Sequence, residues 1–168
     1  MDTLLGQNEE KKGINKGFVV GILVGIAAIG LAVWLLSFQP SMEDQRATIL
    51  AGSSREGSPE FDQVTKDIII STSDRTVESP DGFGNISMFI VGNIRNKGIK
   101  IINALEVNAA VVDQFNNVVK EKRVLVVPGQ KETLGPNETI PITLSLDGFD
   151  RKDDRANIRW KVTAIRTE

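Results

Sequence analysis

The side chains able to do chemistry in this chain are few, and their spacing offers little to catalysis. Charged residues gather at Asp150-Arg-Lys-Asp-Asp-Arg155 and at Lys120-Glu-Lys-Arg123. The first run could offer carboxylates to calcium, but its interleaved bases supply the counter-charge and the spacing is not that of a calcium-binding loop. It reads as a solvated hairpin loop. The second reads as the exposed part of an edge-protecting strand rather than a phosphate site. The chain has no His, no Cys and no Tyr. Without His there is no Ser-His-Asp or Cys-His catalysis, no usual zinc site and no haem ligation by His. Acid-base work would fall to Asp, Glu and Lys, and no pair of these stands at a recognisable catalytic spacing. No glycine-rich phosphate loop follows a strand, and a formal net charge of -2 gives no basic field for nucleic acid. Asn85-Ile-Ser87 and Asn137-Glu-Thr139 fit the glycosylation acceptor pattern, which matters only on a eukaryotic secretory route. The expectation is a protein that is not an enzyme, with no catalytic residue, no cofactor and no metal.

The elements that position these residues begin with GFVVGILVGIAAIGLAVWLLSF, Gly17 to Phe38, which carries no charge. Its ~22 residues span about 33 Å as a helix, roughly a hydrocarbon core. A secretory signal has a shorter apolar region and a small-x-small cleavage site, whereas this one exits through Trp34-Leu-Leu-Ser-Phe-Gln-Pro. Lys11, Lys12 and Lys16 precede it, while Glu43 and Asp44 follow before the first base, Arg46. Basic residues stay on the cytoplasmic side. The expected placement is therefore a single pass through the cytoplasmic (inner) membrane, N-terminus in the cytoplasm and the rest periplasmic or extracellular. Trp34 and Phe38 suit an interfacial anchor, and Pro40 suits a helix stop.

From Gln39 to Lys66 the chain is rich in Ser, Gly, Pro and charge without a sustained apolar period, and reads as a stalk, either a flexible tether or a segment ordered against a partner. Met42 to Leu50 could form a short helix, and the Gly52-Ser-Ser and Gly57-Ser-Pro clusters break anything longer. After Lys66 the period becomes two. Strands are expected at Ile68 and Ile70, at Ile86 to Val91, through Leu105, Val107, Ala109 and Val111, at Val118 to Val126, through Ile140, Ile142, Leu144 and Leu146, and through Ile158, Trp160, Val162 and Ala164. Turns fall at Ser79 to Asn85, Asn96 to Gly98, Asp113 to Asn117 and Asp147 to Asp154. With no helical crossover, this pattern describes an antiparallel β-sandwich of immunoglobulin-like type. Trp160 is expected in the core and Pro141 on an edge or at a strand start. The division is then a cytoplasmic tail (1–16), a transmembrane helix (17–38), a linker (39–66) and an extracytoplasmic β-sandwich (67–168).

The run Ile90-Val-Gly-Asn-Ile-Arg-Asn-Lys-Gly98, the strand ending at Asp113, and Leu134-Gly-Pro-Asn-Glu-Thr-Ile-Pro-Ile142 together resemble the FxLYD-type family of small bacterial β-sandwich domains. That family has a G-x-(V/I)-x-N-x-G strand and turn, then a strand closing on Asp, then a Leu-x-Pro-Gly-Glu-like turn. Here the namesake motif is replaced by Ala109-Ala-Val-Val-Asp113, and the usual Pro-Gly by Pro136-Asn137. The resemblance implies an exported, often membrane-anchored domain, and it brings no catalytic residues.

On the apolar helix, Gly17, Gly21, Gly25, Ala28 and Ala32 fall within about 80° of one another, while Gly30 and Ala27 point elsewhere. Membrane helices associate by close backbone approach, which such small-residue stripes permit. The expected function is a non-catalytic accessory or scaffolding subunit of a larger membrane complex, whether energy-converting (respiratory or photosynthetic), transport or secretion. Its partners would be other membrane subunits, met through the helix and the sandwich, and the lipid bilayer. The alternative is a free-standing, membrane-anchored module that binds a ligand or protein through loops such as Ser79 to Asn85.

Overall fold

The computed structural model describes residues 16–37 and 41–168. Lys11, Lys12, Phe38 and Pro40 lie outside them. The chain divides into two units, Met1–Met42 and Glu43–Glu168. In the first, helix α1 runs over Lys16–Leu36. Gly17–Leu36 is long and apolar enough to cross a membrane, a property that an anchor shares with a signal sequence.

The second unit contains helix α2 (Met42–Ile49, all but its first residue), strand β1 (Ser54–Arg55), helix α3 (Pro59–Thr65), and strands β2 (Ile68–Thr72), β3 (Val77–Pro80), β4 (Ile86–Asn96), β5 (Ile102–Val112), β6 (Val118–Val127), β7 (Thr139–Phe149) and β8 (Asn157–Thr167). Two antiparallel sheets result. One has the order β1-β8-β5-β6; in the other, β4 pairs β7 along one side and β2, then β3, along the other. Period-two alternation gives each sheet an apolar inner face. Those faces share a core in which Ile94 of β4 and Ile142 of β7 meet Leu105, Val107 and Ile165 of β5 and β8. A second cluster gathers Met88, Ile90, Ala109, Val111, Leu144, Leu146 and Phe149.

Apart from β3, which was not expected and takes in Ser79 and Pro80 where a turn was expected, the strands follow the expected periodicity with two differences. First, β7 continues to Phe149, past Asp147, where a turn was expected. Gly148, at φ 75°, lies at a register shift in the β4–β7 ladder between Ile86 and Met88. Such a bulge lets the chain turn Phe149 inward, fully buried, which an unbroken alternation would not do. Second, Trp160 is half-buried rather than enclosed; its ring packs on both core clusters while its Nε1 donates to Thr72 Oγ1 at 2.9 Å. Pro141 lies on β7, which pairs only with β4 and so forms an edge.

The segment read as a linker is mostly built into the second unit. β1 pairs with β8 at Ile165 and Ala164. Phe61 of α3 enters the main core, and Leu50, after α2, packs on Ala104 and Ala164 on the outer face of the first sheet. Ser58 caps α3 by accepting from the Phe61 N–H at 3.3 Å, with Pro59 as the first helical residue. Gly52 (φ 74°) and Gly57 (φ 92°) turn the chain between these pieces. Each element is too short to display a period, so composition alone reads as a tether.

Candidate functional site

The residues that carried the family resemblance build structure rather than a reactive site. A Cβ on Gly92 would stand 2.8 Å from Ser71 O and 3.0 Å from the Trp160 ring, so only glycine lets that ring lie against β4. Ile94 is fully buried. Asn96, 2% exposed, donates from Nδ2 to Lys100 O (2.9 Å), Gly135 O (3.0 Å) and Leu134 O (3.3 Å), and its Oδ1 accepts the Gly98 N–H at 2.9 Å. It ties the β4–β5 turn to the crossing that precedes β7. In that crossing Leu134 is fully buried, and Glu138 accepts the Gly135 N–H at 2.7 Å and pairs with Lys131. Asn137 sits at φ 57°, the left-handed region that asparagine tolerates.

The charged runs are also structural. Arg155 meets Glu78 through Nε at 3.1 Å and NH2 at 3.0 Å, and its NH1 donates to Asp150 O and Asp153 O. Asp154 accepts the Gln114 N–H, and Arg151 donates to Gly84 O. The loop thus braces its two neighbours, and among the described residues no cluster of acidic side chains has the makings of a metal site.

Those neighbours form a pair that spacing could have revealed. Asp81-Gly-Phe-Gly-Asn85 and Asp113-Gln-Phe-Asn-Asn117 share the pattern D-x-F-x-N, and each Asp accepts the N–H of the Phe and of the Asn while its second oxygen accepts the Asn amide. The Asn117 amide foremost, then the Asn117 and Phe115 N–H groups, hold Asp113 below the ordinary Asp value against a desolvation that works the other way. At Asp81 desolvation is the largest single influence and raises the value, yet the Phe83 and Asn85 donors together lower it. Phe83 and Phe115 stand out at the loop tips, 93% and 76% exposed.

On the outer face of the first sheet, Glu106 is a buried carboxylate. Arg46 Nε of α2 lies 2.8 Å from its Oε1, an ionic contact in which the N–H is not aimed along the line, and the Thr163 hydroxyl donates to Oε2. Arg166 NH1 donates to Ile49 O and Ala51 O at the end of α2. These contacts strap α2 to the sheet.

The two seams between the sheets differ. At the β6–β7 seam, the Gln130 amide donates to Thr143 O at 2.8 Å and accepts from Thr143 N at 3.0 Å, Lys122 reaches Ser145 O, and Lys120 reaches Asp147 O and Gly148 O. Lys120-Glu-Lys-Arg123 does lie on an edge strand, and two of its lysines satisfy carbonyls of the facing edge. At the β2–β8 seam, a groove of about 320 Å³ opens between Phe61, Ile68, Ile70, Trp160 and Val162, with Thr65 and Lys161 also in its wall.

Gly17, Gly21, Gly25, Ala28 and Ala32 all lie exposed on α1. A Cβ at Gly21, Gly25 or Gly30 would meet nothing within 4 Å, so the stripe and the opposite face are equally open.

No protein-family model matches the chain, and no curated protein matches it. Among solved structures, the chain is similar to one described as an ApaA protein from Bordetella pertussis, at 18% identity and a TM-score of 0.34, over 60% of this chain and 91% of that one. A likeness at this level bears on neither fold nor role. What stands is an N-terminal apolar helix followed by an all-β domain.

Proposed function

We propose that the chain is a single-pass membrane protein, N-terminus in the cytoplasm, whose immunoglobulin-like, FxLYD-type sandwich stands outside the cytoplasmic membrane as a non-catalytic accessory subunit of a membrane complex. The observation that carries this reading is the ordered attachment of α2. The second unit is folded from Glu43 onward, and only residues 37–41 separate α2 from the last residue of α1. With most of 39–66 built into the folded second unit, little of it is left to serve as the long free stalk of a ligand trap, which supports the accessory reading. A charge-free helix with a small-residue stripe supplies the second contact.

Topology is tested with single cysteines, which the chain otherwise lacks. Lys152→Cys, on an exposed loop, should react with an impermeant maleimide on intact cells, and Gln7→Cys should not. Labelling at Gln7→Cys alone would reverse the orientation. The accessory role is tested by purification in mild detergent with mass spectrometry of co-migrating proteins. Wild type should bring membrane subunits with it, and the double variant Gly21→Leu, Gly25→Leu should lose most of them while still inserting; Gly30→Leu is the control of similar volume on the other face. A wild-type chain that purifies alone and monodisperse would replace this reading with the free-standing module.

A further inference from the structure

We infer that Gln130, Lys122 and Lys120 guard the open edge of β7 against a second copy of this chain, which would otherwise add its own β7 there and join two sandwiches through one continuous sheet. β7 pairs with β4 on one side and with no strand on the other. In an antiparallel ladder, successive residues direct their N–H and C=O groups to opposite sides. Thr143 bonds Gln130 through both groups, so the odd-numbered residues of this stretch face the open side. Pro141 falls in that set, where its missing N–H takes nothing from the β4 ladder. The guard fills most of the rest. The Gln130 amide takes the Thr143 N–H and C=O, Lys122 Nζ donates to Ser145 O at 2.9 Å, and Lys120 Nζ donates to Asp147 O at 2.6 Å and Gly148 O at 2.7 Å. Unpaired backbone along an edge accepts a matching strand, and Pro and Lys placed there prevent it.

The strand to be excluded is identified by β7 itself. Two copies paired antiparallel about Leu144 set Thr143 of each opposite Ser145 of the other, and each such pair exchanges both of its backbone groups. Pro141 then stands opposite Asp147. No like charges are opposed, and the side chains of the central pairs are small hydroxyls, which sit well across a ladder. Without the guard, β7 is its own complement. With it, the groups that an incoming copy needs are already bonded, and each copy brings two ammonium groups to the same margin. This goes beyond the accessory-subunit reading and does not rest on it, because the edge belongs wholly to the second unit.

The test uses the full chain in detergent, with mass read by analytical ultracentrifugation over a concentration series. Lys122→Ala with Gln130→Ala frees the edge at Thr143 and Ser145. Both side chains are exposed, so the core is untouched, and Lys120 is kept because it also lies over the Phe149 ring, 5.2 Å from its centre. The double variant should dimerise about tenfold more tightly than wild type, the gain from one or two net backbone hydrogen bonds. Any association through α1 is common to every chain compared. Adding Ser145→Pro should return the constant to the wild-type value, because it removes an open-side donor and leaves the β4 ladder intact. Wild-type association by a double variant that keeps its β-sheet circular dichroism would overturn the proposal, and so would tighter association that Ser145→Pro fails to reverse. Loss of the β-sheet signal would overturn it too, by showing that these side chains hold the fold together rather than guard its edge.

Discussion

Asn96→Ala is expected to lower the stability of the excised 43–168 unit by about 3 kcal/mol, read as a shifted midpoint of urea unfolding with an unchanged slope. The side chain is 2% exposed, its amide nitrogen faces three carbonyls, and its carbonyl oxygen holds the Gly98 N–H. Leu134 O keeps a second donor, Ile102 N at 3.0 Å, so truncation leaves chiefly Lys100 O, Gly135 O and Gly98 N–H without their partner. Each buried polar group stranded in this way costs roughly 1 to 3 kcal/mol, and water entering the vacated space offsets part of the sum. Asn96→Asp, of equal size, should be no better, because a carboxylate would then face three carbonyl oxygens. A change below about 0.5 kcal/mol for alanine, the scale of an ordinary surface substitution, would mean that the turn and the crossing hold together without this pin.

Arg46→Ala should destabilise the same unit by about 2 to 3 kcal/mol and speed proteolysis between Glu43 and Ala51. The reason is the stranded Glu106 carboxylate, whose side chain is 7% exposed and would keep only the Thr163 hydroxyl. Removing one member of a buried pair costs roughly 3 to 5 kcal/mol, and the 30% exposure of the Arg46 side chain brings the expected figure down. Glu106→Gln in the Arg46→Ala background should recover part of the loss by replacing the stranded charge with a neutral amide. The two single changes and the double change form a cycle whose coupling reports the contact itself. Additive losses would show that α2 is held by Leu50 and Arg166 instead.

The strand pattern was legible because β4, β5, β7 and β8 alternate over many residues against one shared core. Ile140, Ile142, Leu144 and Leu146 turn inward, with Pro141, Thr143 and Ser145 between them, and the structure keeps that face. What escaped was whatever depended on a partner distant in sequence. Glu106 in an otherwise apolar strand reads as a solvent-facing residue until α2 covers it, and eight residues of α2 are too few to show which face they bury. Phe61 and Leu50 sit among Ser, Gly and charge, so composition hides them. The paired D-x-F-x-N loops were visible as spacing, and each was read as an isolated turn. Gly92, Asn96 and Gly98 were noticed as a motif, but what explains them lies many residues away: the Trp160 ring against Gly92, Leu134 beside Asn96, and Asp67, whose Oδ2 would stand 2.9 Å from a Cβ on Gly98.

The strap of α2 onto the first sheet also decides how the domain meets tension. Arg46 and Arg166 join α2 to β5 and β8, the two central strands of that sheet, instead of to a free margin. A pull arriving through residues 37–41 therefore loads side-chain contacts first, and α2 can detach as a compliant leader before any ladder parts. Beyond that point β1 holds β8 by two residue pairs, whereas β8 faces β5 from Thr167 to Asn157. A force drawn along these strands must shear that long ladder as a whole rather than open it pair by pair. Survival under load is a matter of barrier height and rate, not of equilibrium stability. A domain tied to a moving assembly would thus yield a helix and keep its sheets.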